Sequence, residues 1–316
     1  MKKITPIILL IIALFIPVFL RERPSLIYYI NLSMIYAISA QGLNLLMGIA
    51  GQISLGHAAF MAIGGYTSAI LVMSFHLPFI IALIGGILVA CAFGVIIGFP
   101  ALRLKGFYLA IATLALGNVV TDIIKRLKIT GGDYGLRNIP PPSLFGFELQ
   151  NNLSQFYLVL GCLLLVIFVT RNFIKSKSGM ALQAMRDSET GARAVGINIS
   201  NYKLLAFIVA SAFAGLGGVL YAHSVTYLHP TNFGLGFSID LLAITIIGGI
   251  GTLWGVVLGS FLWVLVRNLM GTGLEVLTGV LFGVILILVV LFLPRGLSEI
   301  FFRISNRFKS KEVQEK

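Results

Sequence analysis

The sequence predicts an all-α membrane protein, a polytopic bundle of about ten helices in which some glycine-rich helices are broken. Two observations lead to this prediction. The chain of 316 residues is 58% hydrophobic and only 11% charged, with a mean hydropathy of +1.00. A soluble domain of that size could not hide so much apolar surface from water. Between Pro24 and Leu102 there is no Asp, Glu, Lys or Arg, as expected where the solvent is lipid.

Ten apolar segments approach the length of about 20 residues that a helix needs to cross a bilayer. They lie near 4–20, 26–47, 53–74, 78–100, 106–124, 156–170, 204–223, 238–253, 255–270 and 277–293. The first looks like a signal peptide, but no small-x-small cleavage site precedes Arg21, so we expect it to remain as a span. The eighth and ninth are short and rich in glycine, which predicts a broken or re-entrant pair with closely approaching backbones.

The net charge of +12 is distributed as in a membrane protein. The basic residues form short clusters between apolar runs rather than one patch with interleaved aromatic residues, so we expect a lipid bilayer and no nucleic acid as the partner. With the N-terminus in the cytoplasm, most of the 23 Lys and Arg residues lie on the inner side. This asymmetry predicts cytoplasmic N- and C-termini, with the Lys125–Lys128 cluster as a local exception.

Two connections are long enough to have structure of their own. The outer connection, 125–155, contains Thr130-Gly131-Gly132 and Pro140-Pro141-Pro142, which predicts a structured turn with little helix. The inner connection, 171–203, is the longest predicted cytoplasmic segment.

The inner connection has the signals of a short helix. Ser178 is the predicted N-cap, Gly196 the predicted end, and Gly191 can split the segment into two short helices. Its polar face contains Gln183, Arg186, Asp187, Thr190 and Arg193. Its other face contains Leu182, Met185, Ala192 and Val195, alongside the small residues Ala181, Ala184 and Ser188. Such a helix could lie on the inner leaflet or dock a cytoplasmic protein. The thin apolar face, made largely of alanine, favours docking.

Four polar residues interrupt the second and third predicted spans: Asn44, Gln52, Ser54 and His57. Polar groups at membrane depth are costly unless they face the bundle interior, a partner or water. Together with the neighbouring glycines they predict a helix that is broken near Gly48–Gly56. The cluster could line a transport pathway or form a buried hydrogen-bond knot between helices, and the sequence leaves both interpretations open.

The sequence also indicates what the chain does not do by itself. Gly51-x4-Gly56 is followed by His57 and not by the Lys of a phosphate-binding loop, so we expect ATP hydrolysis only on another polypeptide. We predict no catalytic residue, no cofactor and no metal site. Asp240 at the start of the eighth span is an unusual acid there. It could be a proton or substrate site, or an acid that is stabilised by a helix N-terminus.

The segment Gly179–Asn198 resembles the coupling loop of branched-chain amino acid ABC transporter permeases of the LivM type. The residues that fit the A-L-x-A-x-R-x-x-E core and the closing Gly-Ile of that family are Ala181, Leu182, Ala184, Arg186, Glu189, Gly196 and Ile197. Thr190 and Gly191 depart from the usual pair of alanines, which predicts a looser helix. Further segments that resemble the family, in the same order, are 42–46, 51–60, 107–114, 130–132 and 247–252.

The resemblance covers roughly residues 35–297 and implies an ABC importer permease architecture, with 1–316 as one transmembrane permease domain. It implies a sister permease subunit, two ATP-binding subunits and a periplasmic substrate-binding protein as partners, in the bacterial inner membrane. The residues that would contact the ATP-binding subunits are Arg186, Asp187, Glu189 and Gly196.

The implied substrates are branched-chain, hydrophobic amino acids, and urea or short amides are an alternative because permeases for them share these motifs. A secondary transporter would need a set of intramembrane ionisable residues, and the chain offers little beyond Asp240, Arg267 and Glu275. An intramembrane enzyme would need a catalytic constellation of Ser and His or of paired Asp, and none is apparent in the sequence.

Overall fold

The fold is known from a computed structural model that describes residues 22–101, 104, 106–144, 146–269 and eight single residues between 283 and 299. The helices are α1 (Pro24–Asn44), α2 (His57–Met73), α3 (Phe79–Ala101), α4 (Phe107–Arg126), α5 (Asn152–Lys175), α6 (Lys177–Asp187), α7 (Glu189–Ala194), α8 (Ile199–Val225), α9 (Leu235–Gly248) and α10 (Leu253–Leu269). A π-helical turn, Leu45–Ile49, continues α1. Three short 3₁₀ turns are Lys128–Thr130, Gly132–Tyr134 and Pro230–Phe233.

Eight of the ten predicted spans coincide with helices among the described residues. Five segments are long and apolar enough to cross a membrane: Pro24–Ile49, Phe79–Phe99, Phe107–Arg126, Asn152–Lys175 and Ile199–Val225. Helices α2, α9 and α10 are apolar but shorter. The predicted span 4–20 lies outside the described residues, and so does most of the predicted span 277–293. Glu275, which precedes that last span, also lies outside them. An all-α membrane bundle is therefore confirmed, while the count of ten remains a prediction.

Helices α1 and α8 form the buried centre of the bundle, and α3 and α4 lie towards its periphery. The α8 helix contacts α1, α2 and α3 along its length. Large apolar side chains of α3, among them Leu88, Ile96 and Phe99, are exposed. Such exposure is normal for a helix that meets lipid, because lipid tails are as apolar as these side chains.

Glycines set the spacing between α2 and α8. A Cβ atom at Gly65 would lie 2.8 Å from the carbonyl oxygen of Gly218, and one at Gly218 would collide with the carbonyl oxygen of Met61. Small residues at a crossing let two backbones touch, which gives dispersion contacts that lipid cannot replace. The pairing of α2 with α8 therefore depends on the absence of a side chain at these positions.

Helices α9 and α10 form the short glycine-rich pair that the sequence predicts. With 14 residues, α9 is about 21 Å long, less than the roughly 30 Å of a bilayer core. Gly249 and Gly251, with φ angles of 110° and 81°, turn the chain back within four residues. Beyond the turn, a Cβ at Gly259 would lie 3.0 Å from the amide nitrogen of Gly248. The two helices are thus packed backbone to backbone.

The two long connections lie at opposite ends of α5, whose 24 residues span about 36 Å. The connection before α5 contains the strands β1 (Leu136–Arg137), β2 (Ser143–Leu144) and β3 (Phe147–Glu148) and little helix, as predicted. Strand β1 pairs antiparallel with β4 (Tyr227–Leu228) after α8, and β2 pairs with β3. The helices α6 and α7 follow α5 at the other end. Which end faces the cytoplasm remains a prediction from the charge asymmetry.

Replacing Gly218 by Ala should destabilise the bundle by about 1–3 kcal/mol, because the added methyl group forces α2 away from α8. Gly161 in α5 is a matched control, since nothing lies within 4 Å of a Cβ built there. Gly161→Ala should leave stability unchanged or raise it slightly. Thermal unfolding of the purified variants in detergent checks this, and equal melting temperatures for the two variants would contradict it.

Candidate functional site at the broken helix

Helical structure is interrupted where α1 ends, next to α6 and the turn between α9 and α10. The helix widens into the π-helical turn Leu45–Ile49, where the amide of Ala50 donates to the carbonyl of Leu45 over 3.1 Å. Residues 50–56 are not helical, and α2 starts at His57. Helical structure is thus interrupted in the segment Gly48–Gly56, where the sequence predicts a break. π-Helical turns occur often at functional sites.

Asn44 fastens this break to the turn between α9 and α10. Its Oδ1 accepts a hydrogen bond of 2.7 Å from the amide of Gly251, and its Nδ2 donates to the carbonyl of Thr252 over 3.1 Å. One turn earlier, Gln41 Nε2 donates to the carbonyl of Leu253 over 2.5 Å. Asn44 and Gln41 are both buried. In this conformation Asn44 is part of a hydrogen-bond knot between helices.

Gln52, Ser54 and His57 are also buried, but each keeps one polar atom without a hydrogen-bond partner in the part of the chain that the structure describes. These atoms are Gln52 Oε1, Ser54 Oγ and His57 Nδ1. The other imidazole nitrogen, His57 Nε2, donates to the carbonyl of Ser39 over 3.0 Å. Buried polar atoms without a partner cost about 1–3 kcal/mol each. Three such atoms lie within six residues, between Gln52 and His57.

Arg186 joins the break to the short helices that follow α5. Its Nη1 donates to the carbonyl of Gly48 over 2.6 Å, and its Nη2 lies 3.4 Å from Asp187 Oδ1. Gly51, with a φ angle of 67°, passes directly beneath the same side chain, because a Cβ there would lie 2.8 Å from Arg186 Cγ. The π-helical turn frees carbonyl groups, and the guanidinium group satisfies one of them.

The inner connection is split into α6 and α7, as its sequence allows, but two details differ from prediction. The N-cap of α6 is Ser176 and not Ser178, since Ser176 Oγ accepts from the amide of Gly179 over 3.2 Å. The split falls at Ser188, which caps α7 and accepts from the amide of Gly191. Gly191 therefore lies inside α7 rather than at the break.

The apolar face of α6 and α7 packs against this chain itself. Leu182, Met185 and Ala192 are buried there, in contact with α5, α8 and the π-helical turn. Val195, predicted on the same face, is exposed, because α7 ends at Ala194. The groove that receives this thin face is thus within the chain, and the polar face remains available on the outside.

The four predicted coupling residues have different surroundings. Glu189 Oε1 lies 2.6 Å from Nζ of Lys203, a buried residue of α8, so this ion pair fixes α7 on α8. Asp187 is turned outward, with 73% of its side chain exposed. Gly196 has a φ angle of 83°, and the amide beyond it, that of Ile197, donates to the carbonyl of Ala192 over 3.0 Å. Gly196 therefore ends α7 as predicted.

Asp240 lies apart from the break, at the other end of the hairpin. Helix α9 begins at Leu235, so Asp240 is beyond the first turn and the helix N-terminus does not account for it. Its Oδ2 accepts a hydrogen bond of 3.2 Å from Arg267 Nη1 of α10. Among the described residues, no group of three or more His, Cys, Asp or Glu could hold a metal ion.

Sequence reasoning missed three residues of these contacts. Gln41 could have been found, because it lies three residues before Asn44 and on the same face of α1. Lys203 was counted only as a charge that orients the chain, and Arg267 was considered as an intramembrane ionisable residue but not as the partner of Asp240. Their ion pairs join residues far apart in sequence, and no local pattern predicts such pairs.

A bundle of apolar helices that is joined at the end of α1 to a polar helix pair is consistent with an α-helical membrane permease. The chain belongs to the family described as branched-chain amino acid transport system / permease component, whose model matches residues 25–290. No solved structure matches the chain.

Several named permeases are similar to the chain. The high-affinity branched-chain amino acid transport system permease protein LivM of Salmonella typhimurium is 34% identical over 94% of this chain and 75% of its own length. LivM of Escherichia coli is 36% identical over 84% of this chain and 68% of its own length. The permease protein LivH of Salmonella typhimurium is 26% identical over 85% of this chain and 92% of its own length.

Replacing Asn44 by Leu should destabilise the chain by about 2–4 kcal/mol, because it removes two hydrogen bonds and leaves the buried amide of Gly251 without its acceptor. The same substitution at Asn118, an exposed residue of α4, is the control. It should change stability by less than about 0.5 kcal/mol. Thermal unfolding of both variants in detergent compares them. If Asn44→Leu leaves the melting temperature unchanged, the hydrogen bonds of Asn44 do not stabilise the attachment of the α9–α10 hairpin.

Proposed function

We propose that this chain is a transmembrane permease subunit of an ATP-driven importer for branched-chain, hydrophobic amino acids. In this proposal it lies in the bacterial inner membrane with both termini in the cytoplasm. It pairs with a related sister permease above two ATP-binding subunits and receives its substrate from a periplasmic binding protein. ATP is hydrolysed on the separate subunits, and the chain itself is no enzyme.

The observation that carries the proposal is the attachment of α6 to the break in α1. A helix that is fastened to the membrane core by the bond from Arg186 to Gly48, and that turns Asp187 outward, is suited to receive a force from a cytoplasmic protein. We infer that Asp187 contacts an ATP-binding subunit, while Arg186, Glu189 and Gly196 hold the helix pair in position.

The names of the relatives support the substrate class and the paired permease. LivM and LivH are both named as permease proteins of a high-affinity branched-chain amino acid transport system, and both are similar to this chain. Two related but different permeases would form a pathway at their interface. We infer that Asn44, Gln52, Ser54 and His57 line the inner part of that pathway when α1 moves, and that the three unsatisfied atoms then meet water or substrate.

Two alternatives make different predictions. A permease for urea or short amides would have the same partners and would differ only in what it transports. An ion-coupled secondary transporter would work without ATP, and it would need intramembrane ionisable groups that change their protonation. Asp240 and Arg267 already satisfy each other as an ion pair, which favours the ATP-driven system.

Reconstitution tests the proposed function. The chain alone in liposomes should neither hydrolyse ATP nor accumulate leucine, isoleucine or valine. Uptake should appear when the sister permease, both ATP-binding subunits and a loaded binding protein are added together with ATP. Leucine uptake by the single chain, driven by an ion gradient without nucleotide, would overturn the proposal. Uptake of urea but not of leucine by the complete system would shift it to the amide alternative.

Cysteine labelling tests sidedness and docking together. On a background without Cys91 and Cys162, Asp187→Cys should react with a membrane-impermeant maleimide only from the cytoplasmic side, and bound ATP-binding subunits should reduce that labelling about tenfold. Tyr134→Cys, in the exposed 3₁₀ turn of the opposite end, is the control and should react from the outside regardless of those subunits. Labelling of Asp187→Cys from the outside of intact cells would contradict the proposed sidedness. Labelling that bound ATP-binding subunits do not reduce would count against the proposed docking.

A further inference from the structure

A cleft of about 340 Å³ lies at the end of the α9–α10 hairpin that is distant from the break. Its walls come from α1, α8, the 3₁₀ turn Pro230–Phe233, α9 and α10. The lining residues that matter here are Tyr36, Tyr221, Phe233, Phe237, Asp240 and Arg267. Its volume is at the lower end of the range of about 300–1,000 Å³ that small-molecule sites have.

The charged groups in this cleft are unusual for a membrane helix pair. Asp240 is 19% exposed and Arg267 59% exposed, and their facing atoms are 3.2 Å apart. Charges within membrane helices are rare and tend to mark sites of function. An ion pair with one partner exposed to this extent also adds little to stability. Packing alone therefore does not explain why both charges are there.

Four aromatic rings lie beside the ion pair, and Thr231, Asn232 and Gly236 complete the lining of the cleft. The ring centroids of Tyr36 and Phe237 are 5.2 Å apart, those of Tyr221 and Phe233 5.7 Å, and those of Phe233 and Phe237 6.1 Å, all edge to face. These contacts hold the four rings as a rigid apolar surface beside the ion pair. The cleft thus offers one anionic group, one cationic group and the faces of four aromatic rings, next to the polar side chains of Thr231 and Asn232.

We propose that this cleft binds a free α-amino acid as its zwitterion. The ammonium group binds the carboxylate of Asp240, the carboxylate binds the guanidinium group of Arg267, and an apolar side chain lies on the four rings. Inserting the zwitterion exchanges one ion pair for two and leaves the total charge of the cleft at zero. Arg267 has five N–H donors in a planar fork that suits a carboxylate, and a carboxylate such as Asp240 accepts several donors.

The position of the cleft agrees with this role, which rests on the proposed function. The 3₁₀ turn that contributes Phe233 follows strand β4, and β4 pairs with β1 of the connection before α5. The cleft is therefore at the end of the bundle opposite to α6 and α7. In the proposed orientation that end faces the periplasm, where a binding protein would deliver the amino acid.

The competing explanation is that Asp240 and Arg267 form a purely structural ion pair, and a double variant separates the two. Removing one partner of a pair leaves the other charge unsatisfied, whereas removing both is often close to neutral for stability. If the pair is purely structural, the double variant Asp240→Asn with Arg267→Gln should recover the leucine uptake that each single variant loses. A zwitterion site predicts that the double variant is at least as impaired as either single variant.

The test measures the initial rate of leucine uptake by the reconstituted transporter at saturating binding protein and ATP. Asp240→Asn, Arg267→Gln and the double variant should each lower the rate about tenfold or more, as expected for a lost charge-assisted hydrogen bond. Arg267→Lys keeps the positive charge but loses the planar group that binds a carboxylate through two donors, and it should lower the uptake rate severalfold. Asp122→Asn removes a solvent-exposed ion pair with Lys125 and should change the rate less than twofold.

A double variant or an Arg267→Lys variant that transports leucine at half the wild-type rate or faster would overturn the zwitterion site, even if the single neutral variants fail to assemble. Failure of the wild-type system to transport any branched-chain amino acid would instead overturn the proposed function. The two failures are therefore distinguishable in one set of measurements.

Discussion

The structure depends on one constraint at the end of α1, where backbone groups that lose their helical partners have to be bound by other parts of the chain. In lipid a free carbonyl or amide costs several kcal/mol. Two side chains join the end of α1 to other elements through such bonds. Arg186 of α6 binds the carbonyl of Gly48, and Asn44 binds the turn between α9 and α10. Each of these bonds also fixes the position of the element that supplies it.

The glycines around the break follow from the same requirement. At Gly48 a side chain would collide with the amide of Gly251, and at Gly51 it would press on Arg186. Close approach is what brings a guanidinium group and a peptide turn within hydrogen-bond distance of the same short segment. Substitution at either position would therefore separate the elements that satisfy the break, and the cost would include the lost hydrogen bonds as well as the steric strain.

The break and the hairpin could be predicted from the residues in those segments. The details that depend on residues distant in sequence could not. Glycines and polar residues inside an apolar run contradict a continuous lipid-facing helix, so the break near Gly48–Gly56 could be found from sequence. The choice of Ser176 over Ser178 as N-cap could not, because both are serines at the start of one polar segment and tertiary packing of α5 decides between them. The partners of Arg186, Asp240 and Glu189 are 138, 27 and 14 residues away, beyond any periodic pattern.

The α9–α10 hairpin connects the two sites physically. Its turn is bound by Asn44 at the break, and its opposite end carries Asp240 and Arg267 in the cleft. Glycines keep its helices in backbone contact, so the hairpin resists bending and tends to move as one body. A displacement of α6 pulls on Gly48, and Gly48 touches the hairpin turn at Gly251. If the cleft binds a zwitterion as proposed, a movement of the hairpin that changes the distance between its two charges would alter that binding.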